Sequence, residues 1–257
     1  MNKNLYYRAM YKRTNIWKVG LLNLALSLSS WPRLFLEVIL RTHFGERYFS
    51  FSGALFITLV MAALPIAYNE TDNFLKKFTG GTSMIDFIWL FTTWYAYLVC
   101  FLYMTLQRRE EIKHYPSVFD FGRFSLSTGH IHPFFLNFKI GGRPVDVRTI
   151  ETTLEPAVFA LAGLLLSLMR QPIGFVLLFC SIMYSISYVA AYYRGDQFVM
   201  DKIDEMICNE ELVNSFVEGR DTRETRGVSF YGRRPADPET RRRLADTFVD
   251  ENVAEAV

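Results

Sequence analysis

Four long apolar runs divide this chain, and they constrain its fold more than any other feature of the sequence. They cover residues 49–68, 84–106, 155–169 and 173–193. Each run is close to the roughly 20 residues that an α-helix needs to cross about 30 Å of hydrocarbon. The sequence therefore predicts an all-α integral membrane protein. Its four transmembrane helices form two hairpins, 49–106 and 155–193.

The distribution of basic residues predicts how these helices are oriented. The five segments outside the runs hold, in chain order, 8, 2, 7, 1 and 10 of the 28 Lys and Arg residues. Cytoplasmic loops of membrane proteins carry the excess of Lys and Arg. We therefore expect segments 1–48, 107–154 and 194–257, and so both termini, to be cytoplasmic. A bacterial inner (plasma) membrane is our interpretation of the location.

Charge also separates along the chain, which matters for the choice of partners. Of the 26 acidic residues, 15 lie in the last 64 residues, so the net charge of +2 is a cancellation between segments. A weakly basic average of this kind does not indicate nucleic-acid binding. We expect the partners to be membrane lipids and cytoplasmic or membrane proteins, in a homo- or hetero-oligomer.

Residues 16–40 form a fifth apolar stretch that is interrupted by Pro32 and by charges. The sequence predicts two helices, 17–29 and a second one that begins near Ser30. Arg33, Glu37 and Arg41 then recur at intervals of four, which gives a charged stripe on an apolar helix. We expect this pair of helices to lie in the membrane interface, with Arg33 and Arg41 at lipid headgroups. A re-entrant or spanning hairpin is the alternative.

The loop 107–154 is the one segment where a compact cytoplasmic site is expected. His114, His130 and His132, near Glu110 and Glu111, are ligand types that suit zinc or iron. Histidines at this spacing are commonly surface residues of a turn, so they are weak metal candidates. We expect no metal and no cofactor.

The same loop carries the pattern of a β-hairpin. Residues 138–140 and 143–147 flank Gly141 and Gly142, which supply the positive φ of a tight turn. Asp146 is then expected to cap a helix that leads to Glu155, which we expect to be hydrated at the inner interface. The interiors of the runs contain no Lys, Arg, His, Asp or Glu. Because coupled carriers usually need such groups there, the sequence disfavours transport.

Residues 194–218 have the pattern of an acidic amphipathic helix. Their apolar residues recur at helical spacing and are expected to contact protein, because an anionic leaflet would repel the acidic face. The expected partner-binding residues in this helix are Val199, Ile203, Met206, Val213 and Phe216.

Residues 219–257 are rich in Arg and poor in apolar residues, which favours a partly disordered tail. A short terminal helix is expected to begin at 237–239. Phe230, Tyr231, Leu244 and Phe248 are expected to dock on a partner, whereas Arg233 and Arg234 are candidates for headgroup contact.

No motif in the chain names a reaction, and we therefore expect no enzyme. The architecture favours a non-catalytic membrane subunit that anchors or scaffolds a cytoplasmic-facing complex, for which a bacterial secretion or conjugation machine is a natural setting. One alternative is a small oligomeric channel or transporter lined by Thr92, Thr93, Ser181 and Ser185. The other is a membrane enzyme with a His/Glu site in the cytoplasmic loop.

Overall fold

The computed structural model describes residues 3–11, 15–76, 84–116 and 118–250. Helices account for 73% of the chain and there is almost no strand, which confirms the all-α class. The principal elements are β1 (Lys3–Asn4), α1 (Leu5–Met10), α2 (Ile16–Leu28), α3 (Ser30–Leu40), α4 (Phe51–Lys76), α5 (Met84–His114), α6 (Pro133–Leu136), β2 (Lys139–Ile140), β3 (Arg143–Pro144), α7 (Val147–Thr149), α8 (Glu155–Leu168), α9 (Pro172–Leu212), α10 (Pro238–Phe248) and β4 (Val249–Asp250). A 3-10 turn lies at Val118–Asp120, and π-helical turns lie at Ile150–Leu154 and Val213–Glu218.

The chain divides into two compact units. The central unit is Leu22–Ala191, and the terminal unit combines Met1–Leu21 with Tyr192–Val257. The predicted boundary at 193/194 falls inside α9, which continues to Leu212 without a break. The predicted outer loop lies partly outside the described residues, at 77–83.

Among the described residues, three helical segments are long and apolar enough to cross a membrane. They are Ile88–Asp120, Val147–Leu168 and Pro172–Glu218, and they overlap the second, third and fourth predicted runs. The first run corresponds to a shorter apolar helix, Phe51–Ala67. Helices α2 and α3 bend by 48° at their junction and together count as a fourth candidate, either a broken span or a re-entrant loop.

The central unit is built by close packing of its long helices. In α5, Trp94 Nε1 donates to the backbone oxygen of Met61 at 2.9 Å, which joins α5 to α4. In the α8–α9 pair, a Cβ atom added to Gly163 would lie 2.8 Å from the backbone oxygen of Gly174. Only glycine permits this approach of the two backbones, which is typical of helix pairs in membranes.

Helices α2 and α3 differ in burial, and this corrects the predicted interfacial pair. No described residue of α2 is buried, and Trp17 is 89% exposed. In α3, by contrast, Phe35, Leu36 and Val38 are fully buried, because the helix packs against α4 and α5. An interfacial helix keeps its polar face in water. Helix α3 does not do so.

The β-hairpin of the loop is confirmed. Strands β2 and β3 pair antiparallel, with Lys139 opposite Pro144 and Ile140 opposite Arg143. Gly141 and Gly142 have φ values of 61° and 81°, as a primed turn requires. Asp146 precedes α7 as predicted, but its side chain makes no capping hydrogen bond.

The terminal unit joins the two ends of the chain. Strand β1 pairs antiparallel with β4, and Leu212, Phe216, Val217 and Ala245 form a core against which Tyr6, Phe230 and Phe248 pack. In the tail that was expected to be partly disordered, Phe230 and Phe248 therefore find partners within the chain. Helix α10 begins where the sequence predicted.

Candidate functional site

A network of buried charges in the central unit begins on α3. Arg33, Glu37 and Arg41 recur at intervals of four and share one side of α3. Arg33 Nε donates to Glu37 Oε1 at 2.8 Å. The side chains of Glu37 and Arg41 have no exposed surface. The charged stripe that the sequence places at the membrane interface therefore faces the interior of this unit.

Arg41 links α3 to the start of α8. Its Nε lies 3.1 and 3.2 Å from the two carboxylate oxygens of Glu155, and its Nη2 also bonds that carboxylate. Glu151, one helical turn earlier, lies 3.1 Å from the same Nη2. Because the side chain of Glu155 is 0% exposed, the expectation that it is hydrated is wrong. Contact between Arg41 and a lipid headgroup does not fit this placement either.

Two tyrosines of α9 complete the network. Tyr188 donates its hydroxyl hydrogen to Glu37 Oε1 at 2.6 Å and accepts from Arg41 Nη1 at 2.5 Å. Tyr184 donates to Glu155 Oε2 at 2.5 Å. The network therefore ties α3, α8 and α9 together, although residues from these three helices are far apart in sequence.

Tyr48, which lies between α3 and α4, donates to the second oxygen of Glu37. Burial raises the pKa of Tyr48 well above its usual range, and the neighbouring Glu37 carboxylate raises it further. The phenol therefore stays protonated and acts as a donor. Sequence reasoning missed Tyr48, Tyr184, Tyr188 and Glu151 as members of this network.

Every ionised group of the network has an oppositely charged partner. Arg33 pairs with Glu37, while Arg41 pairs with Glu151 and Glu155. An ion in an apolar surrounding is costly unless it is paired and hydrogen-bonded. This arrangement meets both conditions, so it fixes the mutual position of three helices.

The histidines of the loop do not assemble into one site. His130 stacks on His43 with ring centroids 4.8 Å apart, and His132 Nδ1 accepts from the backbone N–H of Phe134 at the start of α6. His114 Nδ1 lies 2.7 Å from the backbone oxygen of Glu110, one turn earlier. Within the described ranges, no group of three His, Cys, Asp or Glu side chains is placed to hold a metal ion.

The hydroxyls proposed for a pore make bonds within the chain. Ser181 and Ser185 of α9 donate to the backbone oxygens of Pro156 and Thr152, each at 2.6 Å. Thr92 bonds the backbone oxygen of Ile88, and Thr93 bonds Gln171 Oε1. These contacts agree with the role of Ser and Thr in joining membrane helices.

The predicted partner-binding residues fall into two groups in the terminal unit. Phe216 is buried, and Phe230 and Phe248 pack on it, so these three contact their own chain and correct the prediction. The others are exposed by 39% to 61% and stay predictions: Val199, Ile203, Met206, Val213, Tyr231 and Leu244.

The carboxylates of this helix also depart from the predicted acidic outer face. Glu205 and Glu211 are buried. Glu205 pairs with Lys202 at 2.7 Å, and Glu211 pairs with Arg226 at 2.6 Å. Arg233 and Arg234 are exposed, and headgroup contact by them stays a prediction.

Together, the apolar helices and the partnered charges define a helical membrane protein. Comparison of the chain with protein-family models, curated proteins and solved structures found no match.

Proposed function

We propose that this chain is a non-catalytic integral membrane subunit that anchors a cytoplasmic-facing protein complex. A row of four exposed apolar residues carries the proposal: Val199, Ile203 and Met206 on α9, and Val213 at the start of the π-helical turn that continues it. The terminal unit already has a core of its own around Phe216. An apolar row that remains outside such a core is typical of a surface that binds another protein.

Pairing of the two chain ends supports a common side for both termini. Strand β1 pairs with β4, and the rings of Tyr6 and Phe230 stack 4.9 Å apart. Ends that pack together lie on the same side of a membrane, so the chain between them crosses it an even number of times. Either α4 or the bent α2–α3 pair then adds a crossing to the three long candidates. The excess of Lys and Arg favours the cytoplasm for this side.

The charges around the row favour a basic partner. Asp196, Asp204 and Glu210 are exposed on the same helix. These carboxylates oppose binding of the row to an anionic leaflet. The partner that fits is a protein with an apolar stripe flanked by Lys or Arg.

The buried network supports the role of an anchor, because it holds α3, α8 and α9 in fixed positions. A bacterial secretion or conjugation machine in the inner membrane remains the setting that we propose. In such a machine, the central unit anchors the chain in lipid and the terminal unit binds the cytoplasmic component.

The test is copurification of the full-length chain from its native host in mild detergent. We expect a stoichiometric protein that is retained with native chain and lost with Ile203→Glu. Phe198→Ser is the matched control, because Phe198 is 64% exposed on the same helix but lies off the row. Copurified proteins that are identical for all three chains would contradict the proposal.

Transport is the second candidate, and one observation favours it. The sequence disfavours transport because the interiors of the runs lack Lys, Arg, His, Asp and Glu. In the structure, however, Glu37 and Arg41 are buried at Tyr188, and Glu155 is buried at Tyr184. Buried ionisable groups of membrane proteins often lie on ion or proton pathways. Proton flux into proteoliposomes that is abolished by Glu37→Gln, without loss of fold, would support this candidate over the anchor.

A further inference from the structure

A cavity of about 320 Å³ lies beside the charged network in the central unit. Arg33, Arg47, Ser30 and Ser187 form its polar wall, and Leu34 and Leu126 contribute to its apolar wall. This volume is near the lower end of the range for small-molecule sites. The wall combines groups that bind an anion with groups that accept an alkyl chain.

Arg33 has hydrogen-bond donors left over for a ligand in this cavity. A guanidinium carries five N–H groups. Arg33 Nε donates to Glu37 Oε1 and Nη1 donates to Ser187 Oγ at 3.0 Å. The Tyr48 hydroxyl is a further hydrogen-bond partner of Arg33, so five N–H groups face three described acceptors. A nearly buried cation that lines a cavity with donors to spare is suited to an oxyanion.

Arg47 adds a second positive charge to the same wall. Its backbone N–H donates to the oxygen of Ser125 at 2.9 Å, which fixes the main chain at this point. Among residues with a described placement, no carboxylate lies within 4 Å of its guanidinium. The Glu37 carboxylate is the ion-pair partner of Arg33 and also accepts bonds from Tyr48 and Tyr188, so Arg47 supplies the positive charge of this wall that lacks a described carboxylate partner.

We propose that this cavity binds a phosphate group, held between Arg33 and Arg47 with the Ser30 hydroxyl as a further donor. Two guanidinium groups match phosphate because each presents parallel N–H donors to its oxygens. Leu34 and Leu126 then contact the ester substituent. The phosphate belongs either to the headgroup of an anionic lipid or to a free phosphate compound.

The test uses full-length protein and three probes. These are nanodiscs of phosphatidylglycerol, nanodiscs of phosphatidylcholine, and inorganic phosphate, with retained lipid measured by native mass spectrometry. We expect the native chain to retain phosphatidylglycerol over phosphatidylcholine. Loss of a charge-assisted hydrogen bond in Arg47→Gln should weaken this retention by roughly tenfold or more.

Two further variants separate the cavity from a general effect of charge. Leu126→Trp fills the cavity without changing the charge, and it should weaken retention in the same way. Arg143→Gln removes an exposed arginine of the β-hairpin, and it should retain lipid as the native chain does. Arg33 is left unchanged because its substitution also breaks the ion pair with Glu37.

The probes also distinguish the two sources of phosphate. If inorganic phosphate displaces phosphatidylglycerol from native chain but not from Arg47→Gln, the site takes free phosphate compounds, and the proposal stands. If only the lipid binds in an Arg47-dependent manner, the ligand is the headgroup. Equal retention by native chain, Arg47→Gln and Leu126→Trp, or no retention of either probe, would overturn the proposal.

Discussion

The two units of this molecule bury their ion pairs to different extents. In the central unit both members of a central ion pair, Arg41 and Glu155, are fully buried. The terminal unit has an aromatic core, and its buried Glu211 pairs with an Arg226 side chain that is 50% exposed. A unit surrounded by lipid keeps its polar groups inside, because only other polar groups there can satisfy them. In the terminal unit, at least one side chain of each described ion pair is exposed by 36% or more.

The difference has an energetic consequence. Removing one partner of a buried pair leaves an uncompensated charge in an apolar surrounding, whereas a half-exposed pair is screened by water. We therefore expect the same type of substitution to be costly in the central unit and mild in the terminal unit.

The largest expected effect is that of Glu155→Gln, which leaves Arg41 without its main partner. It should lower the free energy of unfolding by about 3–5 kcal/mol. Glu211→Gln is the matched substitution in the terminal unit and should have a small effect. Thermal unfolding in detergent, followed by circular dichroism, measures both. Equal losses for the two variants would remove the contrast between the units.

The terminal unit should instead be sensitive to loss of its aromatic core. Phe216→Ala removes a buried ring that contacts Phe230 and Phe248, and should cost about 3 kcal/mol or more within this unit. Limited proteolysis measures this effect: cleavage after residue 219 should be faster in Phe216→Ala than in the native chain. Tyr231→Ala, at a ring that is 61% exposed, is the control and should change proteolysis little. Unchanged proteolysis in Phe216→Ala would mean that the core does not hold the tail.

A smaller effect is expected at the hydroxyl that bridges the two charged pairs. Tyr188→Phe removes the contact to Glu37 and Arg41 but keeps the ring, and should cost about 1–3 kcal/mol. Tyr103→Phe is the control, since that side chain is 59% exposed. A neutral Tyr188→Phe variant would show that α3 is held against α9 without this hydroxyl, which leaves the Arg33–Ser187 hydrogen bond between these helices.

Local patterns predicted the elements but not their partners. The two glycines of the β-hairpin and the start of α10 need only a few neighbouring residues, and both predictions are confirmed. Periodicity likewise shows that Arg33, Glu37 and Arg41 share a side of α3. It does not show which way that side faces, because the partners Glu155 and Tyr188 are more than a hundred residues away.

The same limit explains why the packing of Phe230 in the tail was not predicted. A window around Phe230 contains few apolar residues, which is typical of disorder. The ring that stacks on it belongs to Tyr6, at the other end of the chain. In α9, Tyr184 and Tyr188 recur at an interval of four among apolar residues, which was a usable indication of a buried acceptor.

The smallest expected effect concerns acid and belongs to an exposed carboxylate of the terminal unit, Asp237. Asp237 accepts from the backbone N–H of Thr240 at 2.9 Å and from its hydroxyl at 2.5 Å. These hydrogen bonds lower the pKa of Asp237 in the folded chain. A lowered pKa means that the capping contribution is present above the unfolded value of about 4 and is lost as pH falls through the folded value. We expect unfolding of α10 to become easier over that acidic window.

Asp237→Asn should abolish this dependence while retaining a cap, because the amide oxygen still accepts the same bonds. Circular dichroism of native and variant chains across the window checks this, and an identical acid response would assign it to another group.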